Sequence, residues 1–158
     1  MLPYQLNLLR HFRSGEKTLA GEVIDWADYH YATMLDVDRL RSELDSPCVL
    51  IRGSHGLDKE TAVDCVFPHK PFADVVMALF RVGCSKGLYE GGSIHLDHRM
   101  GPLGLARCWL AFKPSSYPDL VSRGFGPLKA YSNDGWDYYQ WGHPQSFALL
   151  NVLLERNA

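Results

Sequence analysis

No stretch of the chain approaches the roughly 20 consecutive apolar residues that a membrane-spanning helix needs. The opening Met1-Leu2-Pro3-Tyr4-Gln5 also lacks a basic region followed by an apolar stretch. The expectation is a protein that neither binds a membrane nor carries a signal peptide. Cysteine is sparse: Cys48, Cys65, Cys84 and Cys108 form no Cys-x-x-Cys pair, and four in a chain this long do not make a disulfide scaffold. Three of them stand in apolar stretches, where a thiol behaves as a small hydrophobe, so none is assigned chemistry. No excess of one charge exists either, because 16 Lys and Arg against 18 Asp and Glu leave a net charge of -2. Without a basic field, charge-driven binding of nucleic acid or anionic lipid is excluded as the main function. Internal repeats and low-complexity tracts are absent as well.

What remains is 158 residues, 46% of them apolar, enough for one core and one domain spanning 1–158. Leu2 to Phe12 has apolar residues closer to a helical than a strand spacing, ended by Arg13-Ser14-Gly15. Thr18 to Leu44 reads as mostly helical, most clearly from Asp36 to Leu44, where Val37, Leu40 and Leu44 recur at spacings of three and four before Ser46-Pro47. Cys48 to Ile51 and Thr61 to Phe67 read as strands on either side of a polar loop from Gly53 to Glu60. Pro71 to Val82 is a helix with Phe72, Val75, Val76, Leu79 and Phe80 on one face, Pro71 at its first position and Gly83 as a left-handed residue past its end.

Gly87-Leu88-Tyr89 and Ser93 to Asp97 flank Glu90-Gly91-Gly92 as a hairpin. Ala106 to Phe112 is a further strand. Ser115 to His143 reads as ordered loop with short elements, and Gln145 to Arg156 as a terminal helix. The expected class is α+β, with a small antiparallel sheet flanked by helices.

Of seven histidines, two stand where chemistry is plausible. His55 lies in the polar loop after the first strand, with Asp64 on the next strand. His95 lies mid-strand, where the period of two places Ser93, His95 and Asp97 on one face and turns Ile94 and Leu96 to the core. Two imidazoles and a carboxylate with an open fourth position are the ligand set of a catalytic zinc. The same pattern also describes a solvated loop histidine and a satisfied sheet histidine.

The segment from Gly87 to Arg99, with Ile94-His95-Leu96-Asp97-His98-Arg99 at its end, resembles the corresponding segment of the zinc D-alanyl-D-alanine carboxypeptidase family, which includes many phage-encoded cell-wall peptidases. Ala106-Arg107-Cys108-Trp109 resembles the basic residue and Trp that follow in that family. Thr61-Ala62-Val63-Asp64 resembles the end of its upstream Ser-x-His-x-x-Gly-x-Ala-x-Asp motif. The likeness covers about residues 48 to 110. It departs in that His55 precedes Asp64 by nine positions rather than seven, which places a two-residue insertion at Leu57 to Glu60.

The resemblance implies a zinc carboxypeptidase-like α+β fold with Zn2+ held by His55, Asp64 and His95. It implies hydrolysis of a peptide bond in the stem or cross-bridge of peptidoglycan. Arg52 is the candidate for stabilising negative charge on the reacting carbonyl. Asp97 is a candidate base, or orients His95 through its other ring nitrogen, the role preferred here. Ser93 occupies the position where several relatives carry a base, with Glu90 and His98 as further candidates. Tyr131, Trp136, Tyr138, Tyr139 and Trp141 either wall a groove or complete the core. The partner implied is a wall peptide, met from the host cytoplasm on release or from a virion. The competing expectation is a relative with a degenerate metal site, kept as a structural or binding component of a virion.

Overall fold

The computed structural model describes residues 1–53, 61–89, 91–99, 104–112, 122, 132–133, 136–140 and 146–158. Helix α1 is Pro3–Leu6, α2 Tyr31–Leu44, α3 Phe72–Leu79 and α4 Ser146–Arg156. The strands are β1 Val49–Gly53, β2 Val63–Val66, β3 Ser85–Tyr89, β4 Ile94–Asp97, β5 Cys108–Phe112, β6 Ser132–Asn133 and β7 Trp136–Gln140. They form one sheet in the order β1-β2-β4-β3-β5-β7-β6. The class is α+β, as the pattern of elements suggests.

The sheet is not wholly antiparallel. β5 lies on the far side of β3 from β4 and runs parallel to β3, with Gly87 opposite Trp109. Every other pairing is antiparallel. Strand alternation reveals faces but not neighbours, so the sequence does not show that β5 crosses over the hairpin.

One sheet face packs against the helices. Leu50, Val63, Cys65, Leu88, Ile94, Leu96 and Leu110 from the strands join Met34, Val37 and Leu40 of α2, Val75, Val76 and Leu79 of α3, and Leu149, Val152 and Leu153 of α4 in one core. The spacings within α2 and α3 put these residues on one stripe of each helix, which is why the helices dock there.

Two helical expectations fail at the N-terminal end. Only Pro3–Leu6 of the first segment is helical. Beyond it, Asp38 accepts the backbone N–H groups of Arg10 and His11 at 2.9 Å each. The Arg13 guanidinium donates to the carbonyls of Leu9, Phe12 and Arg10. These bonds satisfy backbone groups without a helix and leave Leu9 and Phe12 free to enter the core. From Thr18 to His30 the chain makes a Lys17–Val23 bridge and a 3-10 turn at Trp26–Asp28, and the α-helix starts only at Tyr31. The Asp25 carboxylate accepts from Ala27 N and competes with helical pairing there.

α3 begins one residue after Pro71 and ends at Leu79, three residues short of the expected Val82. Its last turn tightens through Arg81 N to Ala78 O and Val82 N to Leu79 O, and Gly83 is not left-handed. The hairpin, by contrast, turns as expected on Gly92, whose φ is 83°. The terminal helix also forms as expected, Ser146–Arg156. Trp136, Tyr138 and Tyr139 lie on β7, while Tyr131 and Trp141 lie outside the described residues.

Candidate metal centre

Cross-strand pairing assembles the site. Asp64 on β2 stands opposite His95 on β4, and His95 stands opposite Gly87 on β3. Because opposite residues share a face, the Asp64 carboxylate and the His95 imidazole meet: His95 Nδ1 lies 2.7 Å from Asp64 Oδ1. Its Nε2 lies 2.9 Å from Asp97 Oδ2, two residues along the same strand. Asp97 is in turn fixed by the backbone N–H of Arg99, which donates to Oδ1 at 2.7 Å. The Arg107 guanidinium stands 3.9 Å from Asp97 Oδ2.

These groups are buried. Asp64 is 6% exposed, His95 3% and Asp97 0%. The polar face of β4 is therefore covered as fully as its apolar face. Burial by itself pushes the imidazole pKa down, but the hydrogen bonds and charges of Asp64 and Asp97 outweigh it and carry His95 up to about 9. His95 is thus a cation held between two carboxylates, the arrangement in which a buried charge is tolerated.

Arg52 reaches the same face through an irregularity. Leu50 pairs with Cys65, yet Arg52 pairs with the adjacent Asp64, so Ile51 is an extra residue in β1. In a regular strand Arg52 would share the core face with Leu50. The bulge turns it to the other side, where Nε donates to Asp64 Oδ2 at 2.9 Å. The side chain is 60% exposed, and its terminal nitrogens have no partner among the described residues. Sequence reasoning named Arg52 but had no means of seeing the bulge that aims it.

Trp109 is the residue whose part in the site was not assigned from sequence. Its ring centroid lies 5.0 Å from that of His95, and the Arg107 guanidinium lies 5.4 Å from the indole.

His98 faces the other way, as alternation predicts. Its Nε2 lies 2.9 Å from Asp36 Oδ2 on α2, and its backbone N–H donates to Thr61 Oγ1, which removes it from the candidates for a base. Ser93 flanks β4 and is half-buried. His55, Glu90 and the loop insertion lie outside the described residues. Among the described residues no three His, Cys, Asp or Glu side chains are grouped to hold a metal ion. His95 Nδ1 and Asp64 Oδ1 are donor types that zinc takes, and a second carboxylate sits on the far imidazole nitrogen, as is usual for metal-bound histidine. Here the two donors bond each other directly at 2.7 Å, so holding an ion would require His95 to give up a proton and the pair to part.

The cysteines offer no rival centre. All four are free thiols. Burial pushes Cys84 up to about 12 and Cys108 up to about 11, while a hydrogen bond with Cys48 and then burial raise Cys65. Thiols held protonated are poor nucleophiles and poor ligands.

No family model, curated protein or solved structure matches this chain. No described helix is long and apolar enough to cross a membrane.

Proposed function

We propose that the chain is a zinc-dependent peptidase that hydrolyses a peptide bond in the stem or cross-bridge of bacterial peptidoglycan, with the fold of the zinc carboxypeptidases it resembles. The observation that carries this reading is the meeting of Asp64 and His95 at 2.7 Å, because they come from two motifs 31 residues apart that the resemblance assigns to one metal. The β2–β4 pairing brings the two segments' polar residues to one place, which supports the reading.

In this reading His55, Asp64 and His95 hold the ion. Bound there, zinc supplies Lewis-acid polarisation of the scissile carbonyl and acidifies water. The chain's own residues do the rest. Asp97, with no exposure and one oxygen committed to Arg99, cannot meet substrate; it holds His95 Nε2 and so directs Nδ1 toward Asp64. Arg52, anchored by Nε, presents its terminal nitrogens to solvent beside Asp64, where they suit a substrate carboxylate or developing negative charge. Such an enzyme fits a phage-type lysin, made in the host cytoplasm and released to the wall or carried in a virion.

A second reading has its own support. Arg52, Asp64, His95 and Asp97 form a chain of alternating charge that satisfies itself without metal, which suits a relative whose metal site has decayed and whose role is structural or binding. Elemental analysis of purified wild type beside His95→Ala decides between them. The peptidase reading expects about one zinc per chain, lost in the variant, together with clearing of a peptidoglycan suspension by wild type alone. Failure to take up zinc when it is supplied rules that reading out.

A further inference from the structure

A second pair of imidazoles lies on the helix side of the sheet, apart from Asp64 and His95. His30 is the residue that precedes α2, and His98 follows β4. Their ring centroids stand 5.8 Å apart with 47° between planes. Both are half-buried, so solvent reaches them. Helix stability does not account for His30, because at a position where Ser, Thr, Asp or Asn would cap α2 its side chain makes no capping bond.

Hydrogen bonds determine which nitrogen of each ring carries a proton. Thr33 Oγ1 donates its one proton to the Thr61 carbonyl at 2.7 Å, so toward His30 Nδ1, 3.3 Å away, it can only accept. His30 is therefore protonated at Nδ1, and in the neutral ring Nε2 keeps its lone pair. His98 Nε2 lies 2.9 Å from Asp36 Oδ2, which also only accepts, so the lone pair of neutral His98 is on Nδ1. Among the described residues neither His30 Nε2 nor His98 Nδ1 has a hydrogen-bond partner. Burial, then His98 and the amino terminus, lower the His30 pKa, which keeps its lone pair free near neutral pH.

Two neighbouring imidazoles, each with one nitrogen free and the other held by an oxygen, are prepared as histidines that bind a transition metal are. The separation fits as well: an ion about 2.0–2.1 Å from one nitrogen of each ring sets the centroids roughly 5 to 6 Å apart. Asp36 is not a third ligand, since it faces the far nitrogen of His98; it steadies that ring from behind and is itself paired with Arg39 at 3.4 Å.

We propose that His30 and His98 form a second divalent-metal site, which takes a borderline transition ion such as zinc through His30 Nε2 and His98 Nδ1 and leaves its remaining positions to water. The site is separate from the one at Asp64 and His95 and does not depend on the peptidase reading. With two protein donors it holds its ion more weakly than a three-ligand centre and releases it on dialysis, so it adds nothing to the metal count of dialysed protein. Filled, it ties the start of α2 to the chain leaving β4, where the Arg99 N–H holds Asp97.

The test is a zinc titration of wild type near neutral pH, followed by NMR through the ring C–H signals of each histidine, with the urea midpoint recorded alongside. His30 and His98 should shift together at zinc concentrations that leave the exposed His69 unmoved. In His30→Gln and in His98→Gln the remaining ring of the pair should respond no earlier than His69; the amide of the second variant can still donate to Asp36. Asp36→Asn should weaken the joint response about 10- to 100-fold, the loss expected for an outer partner of a metal-bound histidine. Zinc should raise the urea midpoint of wild type, and raise that of either Gln variant by less. The metal-free midpoint of each variant reports folding, and should one fail to fold the wild-type titration still decides.

A wild type whose His30 and His98 move no earlier than His69 overturns the proposal, as does a His98 response that survives His30→Gln. The His95 signals report the other site separately. Zinc that moves His95 but not this pair overturns the proposal and leaves the peptidase reading standing, whereas zinc that moves this pair but not His95 upholds the proposal and defeats that reading.

Discussion

The two faces of β4 are equally buried and chemically opposite. Ile94 and Leu96 have no exposure and belong to the apolar core, whereas His95 and Asp97, at 3% and 0%, lie among charges. The apolar face gains from every contact it makes. The ionic face must first overcome desolvation, and a hydrophobic replacement of a buried ion pair is often at least as stable. A sequence under pressure only to fold would make both faces apolar. On the proposed reading, one side of the strand serves stability and the other chemistry, and substitutions can test that division from the largest effect downward.

Replacing His95 by Ala leaves Asp64 and Asp97 facing each other without the cation between them. Breaking a buried ion pair from one side costs about 3–5 kcal/mol, so the urea midpoint should fall steeply and zinc should disappear. A variant of wild-type stability would show that the site face is not the closed network described. Leu96→Ala, one residue away, should lose about 2–5 kcal/mol by removing core contacts and leaving a cavity, yet its folded fraction should bind zinc like wild type. If zinc affinity falls in step with stability, the two faces are not separable.

Asp97→Asn keeps the shape and removes the charge behind His95. Loss of such an outer partner weakens metal binding about 10- to 100-fold, which chelator competition resolves, and an unchanged affinity would remove Asp97 from the site. Arg52→Met should shift stability by less than about 1 kcal/mol, because an ion pair to a largely exposed side chain is screened by water. Its effect should instead appear as a raised KM for peptides with a free carboxylate.

The smallest effect concerns pH and lies away from both faces. His30, which precedes α2, has its pKa lowered first by burial, then by the nearby His98 and the amino terminus. Its ring lies 5.8 Å from that of His98. A lowered histidine is neutral in the fold at pH values where the unfolded chain already binds a proton. Its contribution is complete above about 6.5, the unfolded value, and is lost as the pH falls from there through the folded value. The urea midpoint of wild type should therefore fall more between pH 7.5 and 5.5 than that of His30→Gln. Parallel curves would exclude His30 as a source of the dependence.

Much of this arrangement is legible in the sequence, and the limits are physical. The period of two in Ser93 to Asp97 shows that His95 and Asp97 share a face, and Gly91-Gly92 shows where the chain turns back. The stripe of Phe72, Val75, Val76 and Leu79 reveals α3. Each of these signals is local. The contact of Asp64 with His95 joins separated strands, and only the resemblance of both segments to one family linked them. The bulge at Ile51 leaves no mark in residue type, so alternation puts Arg52 on the wrong side. The pairing of Trp109 with Gly87 joins parallel strands that are not consecutive, which no spacing announces. From Thr18 to His30 the helical reading fails because Asp25 and the turn around Gly21 offer the backbone other partners.

The extra residue at Ile51 has one more effect. Among the described strands β1 is a border of the sheet, already partly engaged where the Leu19 N–H donates to Leu50 O at 2.8 Å, and an open border is a template on which a second chain can add a strand. A regular Val49-Leu50-Ile51 run would be flat, apolar and inviting. The bulge interrupts the border after two residues and sets the arginine cation beside the break, and both are features that discourage strand addition along an edge.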